Sequence, residues 1–182
     1  MLIFATLLAH VGAQGYTLTN FRWTDETVAD LRYTYDSYLD QKWTGPVFWS
    51  ATGSWEYHVD GVPDFTEVSS GEDISIESWE SYENGVLAYW QPVDYQWNGV
   101  FYWLYYSVIK INTWYIEECY YTCDEHRQRI AAHELGHALG LGDLYGTFDE
   151  FKLMYGWDNY VDTGIYDPKD DDINGLWAIY GV

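Results

Sequence analysis

Residues 133 to 143 run His-Glu-Leu-Gly-His-Ala-Leu-Gly-Leu-Gly-Asp. At about 3.6 residues per helical turn, His133 and His137 lie four apart and share one face, so both imidazoles can reach one ion. Glu134 then stands beside that ion and not on it. Gly140 and Gly142 are expected to stop the helix and turn the backbone, since glycine reaches left-handed conformations without steric cost. Asp143 can then swing back toward the rings. Zinc held by three protein ligands keeps one position open for water, brings the pKa of that water to about 7, and leaves a nearby carboxylate to take its proton. The spacing therefore predicts a Zn2+ site for peptide hydrolysis, with His133, His137 and Asp143 as ligands and Glu134 as general base. The competing reading is an amphipathic helix whose histidines are merely exposed.

Gly140 follows His137 by three residues and Asp143 follows Gly140 by three, which gives the extended HExxHxxGxxH/D form. In this the segment resembles the metzincin metalloproteases. Histidine occurs at His10, His58, His126, His133 and His137, and none follows the motif helix, so a histidine in the usual third place is impossible. Asp143 takes that place, as in the snapalysin-like metzincins, and carboxylate oxygen is an accepted zinc ligand. Asp149, in Gly146-Thr147-Phe148-Asp149, is the rival and carries a likeness to the aspzincins. It follows the helix too closely for that architecture. Glu150 is the sole glutamate after Glu134, which disfavours a gluzincin layout.

Lys152-Leu-Met-Tyr-Gly156 resembles the Met-turn of metzincins, in the Leu-Met-Tyr form found in matrixins. The resemblance implies that Met154 packs beneath the imidazoles without binding the ion. Matrixins usually continue Pro-x-Tyr, whereas Gly156-Trp157-Asp158 follows here, so side-chain preference is not carried over. Residues Tyr166 to Gly181 are similar to the matrixin C-terminal helix. Their chemistry agrees: Asp167 can cap, Pro168 suits the first helical position, and Asp170 and Asp171 put negative charge at the positive end of the dipole. Ile173, Leu176, Trp177 and Tyr180 make an apolar stripe. The same acidic run could instead take Ca2+.

The N-terminal half is expected to supply a sheet. Leu31 to Leu39 has the aromatic content of a strand. Val47 to Trp55 is ambiguous by periodicity: Ala51 and Trp55 match a pattern on the first matrixin helix, but Gly53 weakens a helix. Glu72 to Glu77 alternates as a strand. Gly85-Val86-Leu87-Ala88-Tyr89 and on to Pro92 resembles the matrixin edge strand, and the resemblance implies that peptide substrate adds there as an antiparallel strand. Tyr105 to Tyr115 is the next expected strand, and the motif helix is expected to be capped by Asp124. The fold class is α+β: a metzincin, zincin-like catalytic domain with a twisted mixed sheet, an active-site helix, a Met-turn and a C-terminal helix.

The chain has 182 residues, of a size for one domain with its own core. Residues 1–13 form an apolar run ending in small residues, which reads as a secretory signal cleaved after Ala13 and leaves 14–182 as a single catalytic domain. The usual basic start is missing, so a truncated signal and a buried first strand both stay open. No stretch reaches the roughly 18 apolar residues of a membrane span. Cys119 and Cys123 are the only cysteines; in an exported protein they suggest a small disulfide loop, with two free thiols as the alternative.

Eight basic against 29 acidic side chains give a net charge of −21, which excludes nucleic acid as a partner because phosphate binding needs a basic face. The 11 Trp, 19 Tyr and 7 Phe exceed what one core of this size requires, so some must be exposed. An aromatic-rich module binding carbohydrate or peptide without cutting it is therefore the rival class. It gains nothing from His133 to Asp143. The sequence reads as a secreted, monomeric zinc endopeptidase acting on peptides or proteins.

Overall fold

The structure, a computed structural model, describes residues 15–39, 43–59, 62–82, 85–116, 123–156 and 164–181. The expected signal, Cys119 and the side chain of Cys123 lie outside the described residues, and so does the expected bridge. In chain order the elements are β1 (Thr17–Leu18), β2 (Phe21–Arg22), α1 (Asp25–Val28), β3 (Leu31–Tyr35), a π-helical turn (Thr44–Phe48) running into α2 (Trp49–His58), β4 (Phe65–Glu67), β5 (Ile74–Trp79), β6 (Ala88–Trp97), β7 (Tyr102–Asn112), α3 (Thr113–Ile116), α4 (Cys123–Ala138), β8 (Leu141–Gly142), a 3-10 turn (Asp149–Phe151) and α5 (Asp170–Tyr180).

Strands β4, β3, β5 and β7 lie side by side and parallel, β2 joins the start of β7 in the same direction, and β6 closes the other side of β7 antiparallel. Parallel strands need cover, and α2 and α4 supply it. Ile74, Ile76, Leu104, Ile109 and Ile111 from the strands share one core with Ala51 and Trp55 of α2 and with Ala131, Ala132 and Leu135 of α4. Trp23, Trp43 and Trp55 are fully buried and absorb part of the aromatic surplus. Buried indoles need acceptors. Trp55 Nε1 donates to the Ala132 carbonyl at 3.0 Å, and Trp23 Nε1 to that of Ala138 at 2.8 Å, so two indoles clamp the motif helix. Other rings stay at the surface, among them Tyr95, Trp97 and Tyr145.

The expected α+β architecture is present, with shifted boundaries. The ambiguous segment is helical, and Ala51 and Trp55 both face the core. The strand expected at Tyr105 to Tyr115 begins at Tyr102 and gives way to α3 after Asn112, whose side chain turns to bind the main chain of Ser81, Val86 and Trp114. The edge strand starts at Ala88, so Gly85, Val86 and Leu87 precede it; the Leu87 carbonyl still accepts from Asn112 N–H at 2.8 Å.

Two expected caps are corrected. Asp124 lies inside the first turn of α4, where it pairs with Arg127 at 3.2 Å. Asp167 accepts from Gln128, and α5 begins later, at Asp170, with Lys169 as its N-cap; the N–H of Lys169 donates to Asp172 Oδ2 at 2.9 Å. Pro168 is therefore outside the helix. Trp177 is 49% exposed, so the inner stripe of α5 runs through Ile173, Leu176, Ile179 and Tyr180 instead.

Candidate metal centre

Helix α4 presents His133 and His137 on one face, with ring centroids 4.7 Å apart and planes at 90°. Each ring is fixed from behind by a carbonyl. His133 Nδ1–H donates to Leu153 O at 2.9 Å and His137 Nδ1–H to Leu141 O at 2.9 Å. A carbonyl can only accept, so each ring keeps a proton on Nδ1, and Nε2 is the nitrogen whose lone pair an ion would take once that atom is deprotonated. The two Nε2 atoms converge on Asp143 Oδ1, at 3.2 Å from His133 and 3.4 Å from His137.

The turn that returns Asp143 works through one glycine and not two. Gly140 has φ +102°, and a Cβ there would meet Phe21 O at 2.7 Å. Gly142 is not left-handed; it pairs with Thr17 in the β1–β8 ribbon, where a Cβ would lie 2.8 Å from Thr17 Oγ1.

Among the described residues, His133, His137 and Asp143 are the one group of three or more His, Cys, Asp or Glu able to share an ion, with their donor atoms within 4.8 Å of one another. Two neutral imidazoles and a carboxylate suit Zn2+. The rival Asp149 is engaged elsewhere: its Oδ2 accepts from Gly146 N–H at 2.6 Å and its Oδ1 pairs with Lys152 at 2.9 Å. The acidic run of α5 makes no such group among the described residues; Asp172 is buried and Asp171 faces Lys152 at 3.6 Å.

Burial pushes the Glu134 carboxyl up, against the pull of the two histidines and a main-chain hydrogen bond from Trp90 in β6. Its Oε2 is buried with no hydrogen-bond partner among the described residues. For His137, burial works against charging, but the hydrogen bond and charge of Asp143, with Glu134, prevail and move the ring up to about 9. For Asp143, burial is outweighed by the hydrogen bonds of both histidines, which hold it well below the usual carboxylate range. Tyr145, absent from the expected site, donates its hydroxyl to Asp143 Oδ2 at 3.0 Å; burial and that carboxylate push the phenol up to about 12.

The comparisons give the family. The family profile described as Matrixin matches residues 22–181. The chain belongs to the matrixin family. Shorter stretches resemble curated matrixins: interstitial collagenase of Sus scrofa is 48% identical over 58 residues, 32% of this chain and 11% of that protein. Neutrophil collagenase of Homo sapiens is 43% identical over 53 residues, 29% of this chain and 11% of that protein. Matrix metalloproteinase-27 of Homo sapiens is 48% identical over 54 residues, 29% and 10% respectively. The matched stretches thus cover about a tenth of each relative's length.

In this matrixin Met154 is 2% exposed and lies directly against Gly136, inside the motif. A Cβ at Gly136 would press into Met154 Sδ and come within 3.2 Å of Trp55 Cζ2. Alanine normally stabilises a helix by about 1 kcal/mol over glycine. Here packing should win, because the Trp55 indole is tethered and a crowded core costs about 1–3 kcal/mol. Gly136→Ala is therefore expected to melt lower than the wild type in a thermal unfolding scan, and a higher midpoint would refute this seating of Met154.

Proposed function

We propose that this matrixin is an exported zinc endopeptidase that cuts peptide or protein substrates. His133, His137 and Asp143 would hold the ion. The observation that carries the proposal is the convergence on one point of Asp143 Oδ1 and two Nε2 atoms, each on a ring oriented by a carbonyl, beside a buried carboxylate whose Oε2 has no partner among the described residues. Zinc, when bound, supplies Lewis acidity and an acidified water. Glu134 takes the proton of the attacking water and delivers it to the leaving amine, a task suited to a carboxyl raised by burial. Met154 forms the floor under the rings.

Substrate would lie along the side of β6 that pairs with no strand among the described residues, adding as a strand through main-chain hydrogen bonds. The segment of interest is Gly85 to Tyr89 and the residues just after it. Support comes from the packing of β6 against the motif helix, with Trp90 close enough to Glu134 to bear on its carboxyl. Pro92 has no N–H and the register shifts after it, so the usable ladder ends there. Export is supported by the apolar run 1–13 and its small-residue end.

The test is metal content and casein hydrolysis of the purified protein. About one zinc per chain is expected, with cleavage abolished by 1,10-phenanthroline and restored by added zinc. Glycan binding at one site per chain with no chelator-sensitive cleavage would favour the aromatic binding module instead.

A further inference from the structure

The segment after Asp143 is laced to the segment after Met154. Leu144 N–H donates to Met154 O at 2.8 Å, Gly156 N–H donates to Leu144 O at 3.1 Å, and Leu144 bridges Tyr155 in parallel. This places Tyr145 over Gly156. A Cβ at Gly156 would lie 2.6 Å from Tyr145 Cε1 and 2.7 Å from both Cζ and the hydroxyl oxygen. The φ of Gly156 is not in the left-handed region, so conformational freedom does not account for this glycine. Room for the ring does. The Tyr145 residue is otherwise 60% exposed, and its hydroxyl ends on Asp143 Oδ2, whereas Oδ1 is the oxygen that both imidazoles approach.

We infer that Tyr145 is a positioning residue for the metal, holding Asp143 so that Oδ1 alone faces the ion, and that Gly156 is glycine because any side chain there would displace Tyr145. The inference rests on the zinc reading above. Two departures of this chain from the matrixin pattern, aspartate for the third histidine and glycine for the proline after Leu-Met-Tyr, then have one cause. A carboxylate ligand has two oxygens and a free rotor, and needs an outer hydrogen bond to choose one. The phenol supplies it, and the missing Cβ makes the space.

The test is zinc affinity by competition with a chromophoric chelator, together with the visible spectrum of the Co2+-loaded protein, for the wild type, Tyr145→Phe, Gly156→Ala, Tyr145→Ala and the double variant Tyr145→Ala/Gly156→Ala. Tyr145→Phe removes one exposed hydroxyl and keeps the ring, so it should fold as the wild type does by near-ultraviolet circular dichroism. It is expected to weaken zinc by about 10- to 100-fold and to shift the Co2+ bands. Gly156→Ala should weaken zinc in the presence of Tyr145 and change nothing once residue 145 is alanine. Wild-type affinity and an unchanged Co2+ spectrum in Tyr145→Phe would overturn the inference. So would an equal loss from Gly156→Ala in both backgrounds, which would assign its effect to the Met-turn itself. Failure of the wild type to bind zinc at all would instead overturn the function proposed above.

Discussion

Replacing Glu134 by glutamine is expected to leave zinc bound and to lower kcat/KM by about a thousandfold. The two halves of that result have separate causes. Metal retention follows because none of the three converging donor atoms belongs to Glu134, and both imidazoles are held by the carbonyls of Leu141 and Leu153. Loss of turnover follows because glutamine keeps the volume and the contact with Trp90 N–H but has no basic oxygen. Stability supplies a further readout. The Glu134 side chain is buried and its Oε2 has no partner among the described residues, an arrangement that costs folding energy and persists where function requires it. The glutamine variant should therefore melt no lower than the wild type. Undiminished turnover with zinc in place would remove Glu134 from the chemistry, and loss of zinc would make it part of the metal cradle.

How much of this was legible in the sequence depended on which groups do the work. Helical periodicity converts spacing into direction, so His133 and His137 could be placed on one face from their separation alone, and the glycine at 140 marked the turn that brings Asp143 back. Strands were legible as runs of branched and aromatic residues but not at their ends, because the limits of β6 and β7 are set by their mutual register and by Asn112 closing the loop before the edge strand. The starts of α4 and α5 differ from the sequence expectation because a carboxylate acts from inside each first turn. Asp172 serves the Lys169 N–H from inside α5, whereas Asp167, the more obvious cap, is drawn to Gln128. By apolarity Trp177 belongs to the stripe of the last helix, yet Ile179 occupies that side and leaves the indole outside. The groups that orient the site were the least visible. Leu141 and Leu153 act through carbonyls that every residue possesses, and Tyr145 and Gly156 matter only because two strands of chain distant in sequence are laced together.

Asp143→Ala should test the metal site most severely. Removing this side chain leaves two imidazoles and no anionic donor, and zinc affinity is expected to fall by more than the roughly hundredfold that outer-shell changes produce. The fold should survive, since the carboxylate is about one-third exposed and the rings keep their carbonyl partners. The pH dependence carries an independent signature. In the metal-free protein Asp143 helps raise His137 to about 9, so below that pH zinc must displace a bound proton. Wild-type affinity should accordingly rise with pH up to about 9 and then level. Without the carboxylate the His137 proton leaves more readily, so the plateau should begin at lower pH even though the affinity reached there is weaker. Isothermal titration at a series of pH values reads both effects. If Asp143→Ala bound zinc like the wild type while Asp149→Ala lost it, the third ligand would move to Asp149, and the lysine and main-chain contacts that occupy Asp149 here would have to break for it to reach the rings.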